Sequence, residues 1–144
     1  MPTTNLHLFG RHCILTRTKL NKRIEISPEI RILSTTSDVL THHIESMAAG
    51  DGEAILSDYA TDAILLTPSG VVNGIDEIKT FFDGFMTQLP PDFIANLELD
   101  ASEVVGEFAY IVWHSGDAAP LGTDTFHIVD GKIAMQSFAV YMPS

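Results

Sequence analysis

The chain has 144 residues, of which 45% are hydrophobic, and this length and composition predict one domain with its own hydrophobic core. Its formal net charge of −11 argues against binding to nucleic acid or anionic membranes, and its apolar runs are far shorter than the roughly 18–20 residues of a membrane span. The single cysteine, Cys13, permits neither an intrachain disulfide nor a cysteine-based zinc site, so we expect a protein of a reducing compartment, the cytoplasm.

Charge divides the chain into two parts. Residues 1–36 carry six Lys and Arg against two Glu, a net charge of +4, whereas residues 37–144 carry two Lys against seventeen acids, a net charge of −15. We therefore treat residues 1–36 as a basic N-terminal extension and residues 37–144 as the domain. The extension has the composition of an organelle transit peptide. An extra edge strand, in which isoleucines alternate with polar residues around Pro28, and a start codon placed too far upstream are equally open alternatives.

The domain is predicted to begin with a helix. Ser37 suits the N-cap, and Asp38 suits the first turn, where its charge meets the positive end of the helix. One face carries five residues at helical spacing: Val39, Leu40, His43, Ile44 and Met47. Glycines at positions 50 and 52 end the helix. His43 therefore lies on the buried face, and His42 is expected to be solvated.

Two further helices and a strand are predicted next. A short helix covers residues 53–59, and a strand covers residues 63–67 before a Pro-Ser-Gly turn. After the Asn73-Gly74 turn, a third helix runs from Asp76 to about Leu89 and stops before two prolines. Its apolar face consists of Ile78, Phe82, Phe85 and Leu89.

The remaining chain is predicted to form strands without intervening helices, at about 94–104, 107–115, 121–129 and 132–141. Asp130-Gly131 is a strong signal for a two-residue hairpin turn. Helices followed by a mainly antiparallel sheet predict an α+β architecture, with the helices packed on one face of the sheet.

Four segments together resemble the NTF2-like superfamily in its SnoaL-like, ketosteroid isomerase-like branch. They are Gly50-Asp51, Tyr59-Ala-x-Asp-Ala63, the Gly74 segment Gly-x-x-x-Ile-x-x-Phe-Phe, and Asp130-Gly-Lys-Ile133. The end of the domain is similar to a group of small bacterial proteins with no agreed activity. The resemblance covers about residues 38–142 and implies a curved antiparallel or mixed sheet that forms a cone with the helices and encloses a pocket. It also implies a homodimer joined through the open sheet face.

The resemblance to ketosteroid isomerases implies which residues correspond to the catalytic base and the two oxyanion donors of those enzymes. The position of the carboxylate base, just before the proline of the turn, holds Thr67, which cannot accept a proton at neutral pH. The familiar isomerase mechanism is therefore not available. The two oxyanion donors of that family correspond to His43 and Asp124.

We consider His43 and Asp124 as a catalytic pair. Imidazole titrates near pH 6.5, and a carboxylate in an apolar pocket can fix its tautomer or, when protonated, donate a hydrogen bond. The alternative is that the two side chains only satisfy each other inside the core. The predicted ligand-binding residues around them are Tyr59, Thr67, Phe82, Phe85, Trp113 and Phe126.

Several catalytic and binding motifs are absent from residues 37–144, and their absence limits the reactions that the sequence predicts. Residues 37–144 contain no arginine, which argues against the Asp-Arg-Asp site of the superfamily's epoxide hydrolases. The histidines show no metal-binding spacing, and no phosphate-binding loop is present, so no metal or cofactor is expected. The leading hypothesis is a cofactor-independent isomerase, cyclase or dehydratase that acts on a small, largely apolar carbonyl compound. The alternative is a non-catalytic small-ligand-binding or dimerisation module.

Overall fold

The computed structural model describes residues 34–144. The predictions of a transit peptide or edge strand before residue 34, and the position of Cys13, lie outside the described residues. The described part contains three helices and six strands in this order: α1 (Thr36–Ala49), α2 (Gly52–Ser57), β1 (Tyr59–Thr67), β2 (Gly70–Asn73), α3 (Ile75–Gln88), β3 (Leu97–Val105), β4 (Phe108–Ser115), β5 (Ala119–Val129) and β6 (Lys132–Tyr141).

Helix α1 begins at a reciprocal cap. The hydroxyl of Thr35 accepts from the backbone N–H of Asp38, and the Asp38 carboxylate accepts from the backbone N–H of Thr35 at 2.9 Å. The prediction of Ser37 as the N-cap is therefore wrong, because the N-cap is Thr35, two residues earlier. At the other end, Gly50 takes a left-handed conformation with φ of 66°, which ends the helix.

The six strands form one mixed sheet in the order β2-β1-β6-β5-β4-β3. Strands β1 and β6 pair in parallel, and every other pair is antiparallel. The pairing shifts register within β1–β6, β3–β4 and β5–β6, and such bulges bend a sheet. Helix α1 packs against β3, β4 and β5, while α3 packs against β1 and β2. The predicted α+β cone with a curved mixed sheet is confirmed.

Several predicted boundaries differ from the structure. The second helix ends at Ser57 rather than at residue 59, and the strand after it begins at Tyr59 rather than at residue 63, because Tyr59 already pairs with Ile133 of β6. The strand predicted from residue 94 begins at Leu97, since backbone hydrogen bonds hold residues 90–96 in turns. The Asp130-Gly131 hairpin is confirmed, and both residues have positive φ, as such a turn requires.

Strand alternation separates the core from the outer face of the sheet. In β4, Ala109, Ile111 and Trp113 are buried, while Phe108 and Tyr110 on the other face are exposed. The buried positions of β5 and β6 join this core beneath α1 and α3. No helix within residues 34–144 is long and apolar enough to cross a membrane.

Candidate functional site

A cavity of about 170 Å³ lies between the helices and the inner face of the sheet. Its wall is mainly apolar and includes six aromatic side chains: Phe82, Phe85, Phe93, Trp113, Phe126 and Phe138. Several of these rings contact one another; Phe85 and Phe138, for example, meet edge to face with centroids 5.3 Å apart. Four polar side chains also reach the wall: His43, Glu98, Asp124 and Gln136. The cavity is thus an apolar space with few polar groups, which is typical of a small-molecule site.

His43 enters the cavity from α1. Its side chain lies on the buried face predicted from the helical spacing, and the residue as a whole is only 3% exposed. The ring packs edge-on against Tyr59 and Phe126, with centroids 5.6 and 5.3 Å away. Its Nδ1 lies 3.3 Å from Oδ2 of Asp58, the residue that ends α2. Packing and one hydrogen bond therefore hold the ring in a single orientation.

The second ring nitrogen of His43, Nε2, is the one that Asp58 does not contact, and among residues 34–144 it has no hydrogen-bond partner. Because Nδ1 is turned to Asp58 and His43 lines the cavity, we take Nε2 to be the ring nitrogen that is open to the cavity. A small molecule in the cavity would meet this nitrogen.

Asp124 reaches the cavity from β5, opposite the helices. Its Oδ2 accepts a hydrogen bond from Nε1 of Trp113 at 2.7 Å, and its Oδ1 accepts one from Nε2 of Gln136 at 2.6 Å. The hydroxyl of Tyr59 in turn donates to Oε1 of Gln136. All three donors point along the chain of bonds toward Asp124, which makes this carboxyl group the terminal acceptor of a buried network.

The environment of Asp124 raises its pKa. Burial is the largest cause, because removal from water disfavours the charged carboxylate. The hydrogen bonds from Trp113 and Gln136 and the nearby charge of His43 act in the opposite direction and lower the pKa. The net effect is a raised pKa, so Asp124 stays protonated to a higher pH than an exposed carboxyl group does. A neutral carboxyl group can donate a hydrogen bond as well as accept one.

His43 and Asp124 line the same cavity without a direct hydrogen bond to each other. Each is held by its own partners, which are Asp58 for the imidazole and Trp113 with Gln136 for the carboxyl group. The two side chains therefore do not simply satisfy each other. Their catalytic role stays a prediction.

The predicted ligand-binding residues divide into two groups. Phe82, Phe85, Trp113 and Phe126 line the cavity, whereas Tyr59 and Thr67 are not among its lining residues. Tyr59 is buried behind the wall, where its hydroxyl is bonded to Gln136. Thr67 lies at the β1–β2 turn, and its hydroxyl bonds to the backbone of Ser69 and Gly70. Thr67, the position that corresponds to the catalytic base of ketosteroid isomerases, is thus part of a turn and not of the cavity wall.

Sequence reasoning missed Asp58 and Gln136, and it missed the contact of His42 with Asp58. His42 is half exposed, as expected for a solvated side chain, but its Nδ1 lies 2.7 Å from Oδ1 of Asp58. Neighbouring side chains diverge on a helix, yet both histidines reach Asp58 because it lies between them. The signal for Asp58 was the glycine break after α1, which folds α2 back toward α1. Gln136 is the cross-strand partner of Phe126 and shares its inward face.

Comparison with known proteins supplies a family and a fold. The model of the SnoaL-like domain matches residues 40–136. A comparison with curated proteins gives no match.

Three solved structures illustrate the shared fold. An NTF-2 like protein of unknown function from Burkholderia xenovorans LB400 has 21% identity and a TM-score of 0.62, over 76% of this chain and 84% of that chain. A SnoaL-like protein of unknown function from Burkholderia thailandensis E264 has 19% identity and a TM-score of 0.61, over 74% and 94%. A protein of Sinorhizobium meliloti, provisionally named a polyketide cyclase, has 19% identity and a TM-score of 0.58, over 70% and 93%.

Proposed function

Because the chain belongs to the SnoaL-like domain family, we propose that it is a cofactor-independent acid/base enzyme of the isomerase, cyclase or dehydratase type. Its substrate would be a small, uncharged, largely apolar carbonyl compound. One observation carries the proposal: two buried ionisable side chains, His43 and Asp124, line the same mainly apolar cavity. The similarity to a protein provisionally named a polyketide cyclase supports the same class of chemistry.

The proposed reaction is a proton transfer next to the carbonyl group. Nε2 of neutral His43 takes a proton from the adjacent carbon, and the electrons of the broken C–H bond move onto the carbonyl oxygen to give an enolate. In the proposed reaction Asp124 acts in its protonated form and donates a hydrogen bond to that oxygen; burial, which raises the pKa of Asp124, stabilises this form relative to an exposed carboxyl group. The imidazolium then returns a proton to the substrate; in D₂O its N–H first exchanges with solvent, so that a deuteron is delivered to the carbon. The competent state of the pair thus carries one proton, on Asp124.

Size and charge of the cavity restrict the substrate. A cavity of about 170 Å³ is close to the roughly 150 Å³ of an engineered apolar cavity that binds benzene. Among the described residues, 34–144, no Lys or Arg lines the cavity, and Glu98 adds a carboxylate to its wall. The domain itself carries an excess of acidic residues. An anionic substrate is therefore disfavoured, and an uncharged compound with about one ring fits best.

The test is exchange of the α-protons of acetophenone for deuterium in D₂O, followed by proton NMR. Acetophenone is uncharged and carries one aromatic ring beside its carbonyl group. We expect the wild-type protein to accelerate exchange, and His43→Ala to lose about 10²–10⁴-fold of the acceleration, the usual contribution of a general base. His42→Ala is the matched control, because His42 is adjacent in sequence but does not line the cavity. No acceleration by the wild type, or equal rates for wild type and His43→Ala, would refute the proposal.

A second candidate is a non-catalytic module that binds a small apolar ligand. The observation that favours it is that both Asp124 oxygens already accept hydrogen bonds from the protein, as in a purely structural buried network. This candidate predicts saturable quenching of Trp113 fluorescence by acetophenone without any exchange of its α-protons. It also predicts that His43→Ala changes only affinity.

A further inference from the structure

We infer that Asp58 is a positioning residue for His43: it holds the neutral imidazole with its proton on Nδ1, so that the lone pair of Nε2 faces the cavity. The inference rests on the proposed function for its catalytic meaning, while the tautomer itself can be measured without any substrate. Asp58 is not part of the cavity wall, so it would act through His43 rather than on a bound compound.

The backbone fixes Asp58 on both sides. Its N–H donates to the carbonyl oxygen of Ile55 in the last turn of α2, and its own carbonyl oxygen accepts from Ile133 of β6 at 2.8 Å. The preceding carbonyl, that of Ser57, accepts from Nζ of Lys132 at 2.6 Å. Asp58 therefore joins the end of α2 to the central sheet, and its carboxylate is presented to α1 from a rigid position.

The donor and acceptor chemistry of a carboxylate fixes the tautomer. An ionised carboxylate only accepts hydrogen bonds, so each ring nitrogen facing it must carry a hydrogen. Nδ1 of His43 faces Oδ2 of Asp58, and Nδ1 of His42 faces Oδ1. In a neutral imidazole with hydrogen on Nδ1, Nε2 has the lone pair and acts as acceptor or base. Since Nδ1 faces Asp58 and His43 lines the cavity, Nε2 is the nitrogen that we place toward the cavity.

His42 and His43 make different use of the same carboxylate. The His42 side chain is 51% exposed, so water competes with Asp58 for its ring, whereas the His43 side chain is 4% exposed. Among residues 34–144, Asp58 is the one hydrogen-bond partner of the buried ring. Without this carboxylate, the His43 ring should therefore no longer be held with its hydrogen on Nδ1, while His42 should remain solvated.

The experiment is a long-range ¹H–¹⁵N correlation spectrum of the histidine rings, recorded without ligand at a pH where imidazole is neutral. In the wild type we expect Nε2 of His43 to resonate as an unprotonated nitrogen. In Asp58→Leu, which keeps side-chain size but accepts no hydrogen bond, we expect this tautomer to fall from nearly all molecules to a minority. His42→Ala, which removes only the exposed partner of Asp58, should leave the His43 tautomer unchanged.

The outcomes separate this inference from the proposed function. If wild-type His43 carries its proton on Nε2, the inference is overturned, even where Asp58→Leu does not fold. If the variant folds and its tautomer equals that of the wild type, the inference is also overturned. The catalytic readout is separate. If the wild type accelerates the exchange of acetophenone α-protons, Asp58→Leu should lower the kcat of that exchange about tenfold or more, with little change in KM. Absence of exchange in the wild type would instead refute the proposed function while the spectra still decide the tautomer.

Discussion

Gly122 allows the tryptophan that holds Asp124 to lie against the sheet. It is the cross-strand partner of Trp113, and a Cβ at position 122 would lie 2.6 Å from Cδ2 of the indole and closer still to Cε2 and Cζ2. Real Cβ atoms essentially never approach another heavy atom within 3.0 Å. In Gly122→Ala the indole must therefore move away, and its Nε1 leaves Oδ2 of Asp124, which it contacts at 2.7 Å.

Two costs set the size of this effect. Overpacking of a dense core costs about 1–3 kcal/mol, and a lost hydrogen bond to a charged or buried group costs about 1.5–3 kcal/mol. We therefore expect Gly122→Ala to lower the free energy of unfolding by about 3–5 kcal/mol, a large part of the usual total of about 5–15 kcal/mol. With a urea m-value of about 1–3 kcal/mol/M, the midpoint should fall by about 2 M.

Urea unfolding followed by Trp113 fluorescence is the assay, because Trp113 is the only tryptophan of the chain and reports the moving ring itself. Gly84→Ala is the matched control. Gly84 lies inside α3 with nothing within 4 Å of an added Cβ, so alanine should stabilise the helix by about 0.5–1 kcal/mol. A Gly122→Ala protein within about 1 kcal/mol of the wild type would show that the indole moves at no cost and would refute the reasoning.

Three further predictions concern Asp124, Thr35 and the outer sheet face. Burial raises the pKa of Asp124 above its ordinary value of 3.8, so the folded state binds this proton more tightly than the unfolded chain does. The protonated side chain therefore adds to the free energy of unfolding. This contribution is fully present below pH 3.8 and is lost as pH rises through the folded-state pKa. The difference in unfolding free energy between wild type and Asp124→Asn should therefore fall with rising pH in this window, and a pH-independent difference would contradict the shift. Thr35→Ala should cost about 1 kcal/mol in urea unfolding through loss of the helix cap, whereas Thr35→Ser should be nearly neutral. Since Phe108 and Tyr110 expose apolar surface on the outer face of β4, we expect a homodimer through that face in sedimentation velocity and a monomer near 15.7 kDa in Tyr110→Glu; a wild-type monomer at micromolar concentration would contradict this.

Local rules predicted most elements of the fold. The apolar spacing of α1 placed His43 on the buried face, and Asp130-Gly131 marked the last hairpin, because both signals depend only on neighbouring residues. Boundaries failed where a distant contact decides them. Tyr59 belongs to β1 because it pairs with Ile133, which is seventy-four positions later in the chain.

The candidate site was harder to predict from the sequence, because contacts between distant residues also decide its arrangement. The family resemblance pointed to Asp124, but nothing local indicates that Gln136 and Trp113 both donate to it. Asp58 was missed because its role follows from the angle between α1 and α2. Thr67 was placed in the pocket by analogy with a catalytic base, yet its short side chain bonds to its own turn.

The central claim, that His43 and Asp124 act as one acid/base pair, is tested most directly by the pH dependence of acetophenone α-proton exchange. We expect a bell-shaped profile, in which the rate falls at low pH when His43 is protonated and falls at high pH when Asp124 loses its proton. In Asp124→Asn the alkaline limb should disappear, because the amide has no proton to lose, while the acidic limb remains. A wild-type profile without an alkaline limb, or an Asp124→Asn profile that keeps both limbs, would show that His43 and Asp124 do not act as an acid/base pair.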